Sequence, residues 1–370
     1  MNNENLKKII KLRHYLHENP ELSGHEVYTK NYLMDFINNN TSFAVVDCGN
    51  YFYAAKYFEG SKAVGFRADF DALPINEDLN LIYASKNSGI SHKCGHDGHS
   101  AILCGLALEL DNLKLKNSVY LIFQHSEEDG KGALECSKIL RERNIKKIYA
   151  LHNWSGWDEN NIILKSGIVQ CPSEGLTVKF IGENSHASEP EKGIDPSFAI
   201  SELILNLINY NNFQRDKILC TVININLGDN KNFGISPGFG EVSFTIRAER
   251  ENILHELEIK IKELAMNLAR ENNLNIEFEI LDKFPETVND PGCVNDIKRA
   301  AENLKLKIIK MQEPLLASED FGYYTKEIPG AIFYIGNGKN YPAIHSAGYD
   351  FNDNIINNAV NIFVNLYENF

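Results

Sequence analysis

Between Cys171-Pro172 and Pro285 the hydrophobic rhythm of the chain changes, and this interruption narrows the folds it can adopt. Upstream, helical spacing at Leu6, Ile9 and Ile10, and again at Val27, Met34, Phe36 and Ile37, precedes β-rich runs at 51–58 and 63–66. Ala101, Ile102, Gly105, Leu106 and Leu110 mark the next helix, followed by a buried strand at 119–123, a helix at 132–143 and a strand at 147–151. Such alternation predicts an α/β layer with a mixed, largely parallel sheet. Inside the interruption the segments 175–181, 196–209, 218–227, 241–247, 251–272 and 275–281 read β-α-β-β-α-β, the split ferredoxin-like pattern. After Pro285 the alternation resumes with a helix at 293–304, a strand at 331–335 and a terminal helix from Asp353. The expected fold class is α/β. A mixed-sheet domain built from residues 1–172 and 283–370 carries an inserted α+β ferredoxin-like domain at 173–282.

At 370 residues, two domains are the natural expectation. A formal charge of −13 argues against nucleic acid and anionic membrane surfaces as partners. The polar start Met1-Asn2-Asn3-Glu4-Asn5 lacks the pattern of a secretory signal, and no apolar run approaches the roughly 20 residues that span a bilayer. Seven scattered cysteines fit reduced thiols better than a disulfide framework. These features predict a soluble cytoplasmic protein.

The densest chemistry lies in Ser91-His92-Lys93-Cys94-Gly95-His96-Asp97-Gly98-His99. Cys94 and His96 pair a soft sulfur with an imidazole nitrogen, a combination suited to zinc and neighbouring transition metals. Glu127-Glu128, His152 and His345 recur downstream near predicted strand ends, where ligands gather in open α/β sheets. Taken singly, His152 and His345 read as structural histidines and Cys94 as a small core residue. Together, Cys94, His96, Glu128, His152 and His345 form a candidate ligand set. Five ligands exceed the need of one tetrahedral catalytic zinc, so two divalent ions (Zn, Mn, Co or Ni) are expected, with Cys94 as a candidate bridge. Adjacent residues at a strand end point in different directions, which leaves Glu127 free as general base beside the ligand Glu128. Asp69 and Asp71 share a face and are expected to orient metal-bound imidazoles, with Asp97 and His99 as similar supports.

Five segments carry a resemblance: Leu16-His17-Glu18-Asn19-Pro20-Glu21-Leu22, Arg67-Ala68-Asp69-Phe70-Asp71-Ala72-Leu73-Pro74, His92 to His99, Phe123-Gln124-His125-Ser126-Glu127-Glu128, and Ala317-Ser318-Glu319-Asp320-Phe321. In this order they resemble the metal-dependent amidohydrolases of the aminoacylase/carboxypeptidase clan. The similar branch contains hippurate hydrolase, N-acetyl-diaminopimelate deacetylase and auxin-conjugate amidohydrolases. The resemblance implies a zinc-peptidase-like catalytic domain and an inserted lid and dimerisation domain, hence a homodimer. It also implies a metal pair on Cys94, His96, Glu128, His152 and His345, with Glu127 as general acid and base. His186 is implied to reach an active site, often a partner subunit's, and to stabilise the oxyanion. Arg247 ends a strand of the inserted domain, where its planar fork suits a substrate carboxylate or a structural ion pair.

Three departures accompany the match. His125-Ser126 replaces the usual Pro-Ala, Asn184-Ser185-His186 replaces Gly-Gly-His, and Gly234-Ile235-Ser236-Pro237 replaces Asn-Val-Ile-Pro. The expected activity is hydrolysis of the amide of an N-acyl amino acid, with Glu127, Asp69, Asp71 and His186 serving the chemistry. A dipeptidase or aminopeptidase with the same metals is one alternative. A catalytically silent metal-binding dimer is the other, although such a site has no use for the spare carboxylate of Glu127.

Overall fold

A computed structural model describes residues 1–210, 217–228 and 232–370. The chain divides into two compact units. The first comprises Met1–Val169, Thr287–Pro314 and Glu319–Phe370; the second comprises Gln170–Glu286 with Leu315–Ser318. The sequence pattern had left the short segment Leu315–Ser318 with the large domain.

The first unit is built on an eight-stranded mixed sheet. In spatial order its strands are Ala44–Asp47, Phe52–Lys56, Ser118–Gln124, Ala63–Asp69, Ile145–Ser155, Gly330–Gly338, Ile162–Leu164 and Ile308–Lys310. The four from Ser118–Gln124 to Gly330–Gly338 run parallel, with Asp69 opposite Gln124 and His152 opposite Tyr334. Strands Ala63–Asp69 and Ser118–Gln124 are buried at every position, as expected where helices cover both faces. The helices Asn3–Glu18, His96–Asp111 and Ile356–Glu368 contribute Ile9, Leu106 and Phe363 to a core shared with Phe66 and Phe123. Parallel strands bring Asp69 and Gln124 together at their carboxyl ends, whereas the strand carrying His152 runs on to Ser155, so His152 lies inside a strand rather than at the end expected from sequence.

Residues 132–143 form two short helices, Gly132–Cys136 and Lys138–Glu142, rather than one. The break falls at Ser137, which closes the first helix through its N–H to the Ala133 carbonyl and opens the next turn through its own carbonyl. The apolar spacing runs through this break, so periodicity alone joins the two pieces.

The second unit has a four-stranded antiparallel sheet in the order Ile218–Leu227, Phe239–Ala248, Ser173–Ile181, Asn275–Phe284. Numbered along the chain, these are strands 2-3-1-4, the ferredoxin-like arrangement. Helices Ser197–Leu207 and Glu251–Glu271 complete the β-α-β-β-α-β order. In Phe239–Ala248 burial alternates strictly, with Val242, Phe244, Ile246 and Ala248 turned to the core. Leu254, Leu257, Ile261, Ala265 and Leu268 recur at three- and four-residue spacing and supply the helical side of that core.

Candidate metal centre

The Cys94–His96 turn depends on the glycine between them. Gly95 has φ +102°, and a Cβ there would lie 2.4 Å from Asn153 Oδ1 and 2.7 Å from the Tyr349 hydroxyl. Only glycine combines that left-handed backbone with so close an approach. Helix His96–Asp111 starts at the next residue, so His96 and His99 project from its first turn on neighbouring positions.

Hydrogen bonds fix which nitrogen of the His96 and His152 rings is free. His96 Nδ1 donates to Asp71, 3.0 Å from Oδ1 and 3.1 Å from the carbonyl oxygen. Its Nε2 is buried without a hydrogen-bond partner among the described residues, 3.7 Å from Glu128 Oε1 and 3.9 Å from Glu127 Oε2. His152 Nδ1 donates to the Asn153 carbonyl at 2.6 Å, which turns Nε2 toward Cys94 Sγ at 3.3 Å. His345, at φ +63°, brings its Nε2 to 3.4 Å from the same sulfur and 3.6 Å from Glu128 Oε1. Cys94 thus belongs to two triads, one with His96 and His152 and one with Glu128 and His345. The ligand atoms within each triad lie within 4.8 Å of one another.

This donor set fits a pair of divalent cations. A buried polar atom without a partner costs on the order of 1–3 kcal/mol, yet among the described residues His96 Nε2 and Glu128 Oε1 both lack one and both face the cluster. Burial, then the charges of Glu128, Glu127 and Asp69, push the Cys94 thiol well above its ordinary range, so a thiolate here needs a bound cation. Burial pulls the His96 imidazolium down, but Asp69 and Asp71 more than offset it and hold the ring pKa up at about 10. One thiol, three imidazoles and one carboxylate are ligands for Zn, Mn, Co or Ni.

The glutamate pair is presented by a tight loop after strand Ser118–Gln124. Ser126 adopts φ +47° and donates its N–H to Glu26 Oε1 at 2.8 Å, while its carbonyl accepts the Gly132 N–H at 2.9 Å. A Cβ on Gly132 would meet the His125 carbonyl oxygen at 1.7 Å, so only glycine lets the loop close. Within this loop Glu128 faces Cys94 and His345, whereas Glu127 lies beside Glu319 and Asp320. Burial, then Glu319, Glu128 and Asp320, push the Glu127 carboxyl well above the usual carboxylate range.

Asp71 Oδ1 faces His96, and Oδ2 accepts from Ser23 Oγ at 2.7 Å and the Glu128 N–H at 2.9 Å. Asp69 Oδ1 lies 2.7 Å from His99 Nδ1. Asp97 departs from the expected support role. It points to His17 at 2.7 Å and Arg13 at 3.7 Å, because one residue along a helix turns the side chain about 100° away from His96. In the second unit His186 is exposed on a two-residue strand, and its Nδ1 accepts the Ser188 N–H at 3.2 Å, which leaves the ring proton on Nε2. Arg247 Nη1 donates to the Leu316 carbonyl and to Ser318 Oγ, both at 2.7 Å. Glu26, Asn153 and Tyr349 were not singled out from sequence. Each acts through a partner far along the chain, and none sits in a motif with a recognisable spacing.

The profile of peptidase family M20/M25/M40 matches residues 65–369. The hippurate hydrolase of Campylobacter jejuni is 28% identical over 365 residues, covering 96% of this chain and 94% of that protein. The N-acetyl-L-cysteine deacetylase of Bacillus subtilis is 30% identical over 349 residues, covering 92% and 83%. The crystal structure of a Bacillus subtilis dinuclear metal-binding peptidase of the M20 family superposes with a TM-score of 0.82 at 25% identity, covering 99% of this chain and 98% of that one. A relative with two metals on the same fold agrees with a donor cluster that has two triads sharing one sulfur. The chain belongs to peptidase family M20/M25/M40 and is a hydrolase of that family.

Proposed function

We propose that this protein hydrolyses the amide bond of N-acyl amino acids, with two divalent cations held by Cys94, His96, Glu128, His152 and His345. The observation that carries the reading is Glu127, a buried carboxyl beside a ligand carboxylate, with Oε2 3.9 Å from His96 Nε2. A structural metal site has no need of it. When bound, the cations supply Lewis acidity to the acyl carbonyl and to the attacking water.

Glu127 takes the proton from that water and returns it to the departing amine. Asp71 holds the His96 ring through Nδ1, which reserves Nε2 as a ligand. Asp69 anchors the His99 ring at Nδ1, while Asn153 engages its Nε2, so His99 supports the site rather than binding metal. His186, with its proton on Nε2, is the donor to the developing oxyanion, within its own chain or across a homodimer. The second unit is accordingly a lid and dimerisation domain. The relatives named hippurate hydrolase and N-acetyl-L-cysteine deacetylase support an acylated amino acid as substrate.

The test is a hydrolysis screen of the protein loaded in turn with Zn, Mn, Co or Ni. Acetyl-, benzoyl- and longer acyl-amino acids are compared with unacylated dipeptides. Turnover confined to acylated substrates is expected. Cleavage of free-amine dipeptides alone, or no turnover by fully metallated protein, contradicts the proposal.

A further inference from the structure

One arginine organises the acidic side chains behind the glutamate pair. Arg67 is 1% exposed, and its guanidinium donates to Gln124 Oε1 at 2.8 Å, Asp69 Oδ2 at 2.7 Å and Asp320 Oδ1 at 2.8 Å. Glu319 Oε1 is 3.0 Å from Arg67 Nη2, the nitrogen that also donates to Asp320. The Asp320 carboxylate is fully caged: Oδ1 also accepts from Gln124 Nε2 at 2.9 Å, and Oδ2 accepts from Gln124 Nε2 at 2.7 Å and from the Ala133 N–H at 2.8 Å. Gln124 is itself fixed, since Oε1 accepts from the Tyr324 hydroxyl at 3.1 Å. Burial favours a neutral Asp320, but every partner is a donor and Arg67 pulls the other way, so the group accepts as an anion.

A side chain tied at both oxygens fixes its own backbone, and here the backbone matters. The Asp320 N–H points at Glu127 Oε1, 3.4 Å away, while Glu127 Oε2 is the oxygen near His96 Nε2. The two oxygens of the base are thereby made different. Hydrogen bonds of this kind are often long in the resting enzyme and tighten during reaction.

We infer that Asp320 is a positioning residue for Glu127: its caged carboxylate holds its amide against Oε1, so that Oε2 alone faces the ligand cluster and transfers the proton. This rests on Glu127 being the base. Arg67 connects the two halves of the site, since it clamps Asp320 on one side and Asp69, the partner of His99, on the other.

Asp320→Asn puts an NH2 group where only donors arrive. In the metal-loaded full chain it is expected to lower kcat on the order of 10–100-fold, with KM and metal content unchanged. In a Glu127→Gln background, Asp320→Asn should cost nothing further, because its effect passes only through the base. A wild-type kcat in folded Asp320→Asn, or a full additional loss in the Glu127→Gln background, overturns the inference. Full activity of Glu127→Gln alone instead removes the base assignment beneath it. A second measurement needs neither substrate nor an Asp320 variant: the Asp320 amide resonance should move and exchange faster in Glu127→Ala, and an unchanged resonance overturns the inference.

Discussion

His17 is buried between two carboxylates, with Nδ1 2.7 Å from Asp97 and Nε2 2.9 Å from Glu77. Both nitrogens must donate, so the ring is an imidazolium. Burial pulls its pKa down, but the bonds to Asp97 and Glu77 raise it further, to about 9. Burial pushes the Glu77 carboxyl up, while His17 and Lys93 draw it down to about 2. A folded pKa above the unfolded value near 6.5 gives stability that is complete below about 6.5 and lost as pH rises through about 9. A tenfold change in proton affinity is worth about 1.4 kcal/mol, so on the order of 3 kcal/mol is at stake. Unfolding free energies of wild type and His17→Gln should therefore differ most at pH 6 and converge toward pH 10; a constant gap would contradict the charged ring. From sequence His17 reads only as a packing or capping residue on a helix. Its partners lie 60 and 80 residues away, and nothing local announces them.

At the scale of elements, the Cys94-Gly95-His96 turn joins fold to chemistry. Its two candidate ligands flank a residue whose left-handed backbone lies under Asn153 and Tyr349. Gly95→Ala should cost about 1–3 kcal/mol from backbone strain and should reduce metal content, since relief of the contact must move Cys94 or His96. Denaturant unfolding and elemental analysis check both effects, and a variant unchanged in both would remove the proposed role of the turn. The turn was legible as a motif, because its ligand types sit at fixed short spacing. The long periodic elements were legible for a similar reason: Glu251–Glu271 repeats its apolar face over many turns, and Phe239–Ala248 alternates throughout. Ile162–Leu164 and Ile308–Lys310 were not, because three residues carry no period. Those strands form in register with one another, which is a tertiary fact.

For the whole molecule, the alternation of helical and strand patterns was enough to indicate an α/β domain with a ferredoxin-like insertion, and the M20 family match and the solved relative agree with it. The sequence also proposed five ligands from four separate segments, and the folded chain brings their donor atoms into two triads that share one sulfur. What it did not reveal is the scaffold behind them. Arg67, Glu26 and Asn153 act through hydrogen bonds that only the folded chain creates. The central claim is that Glu127 performs chemistry while its neighbour holds metal. Glu127→Gln is nearly isosteric but cannot take a proton, so metal content and kcat measured on the same preparation test that claim most directly. Beside wild type and a Cys94→Ala control, Glu127→Gln should keep its full metal complement and lose on the order of 10²–10⁴-fold in kcat. The Cys94→Ala control should lose metal. Near-normal turnover in Glu127→Gln, or a loss of activity that tracks loss of metal, would contradict the account.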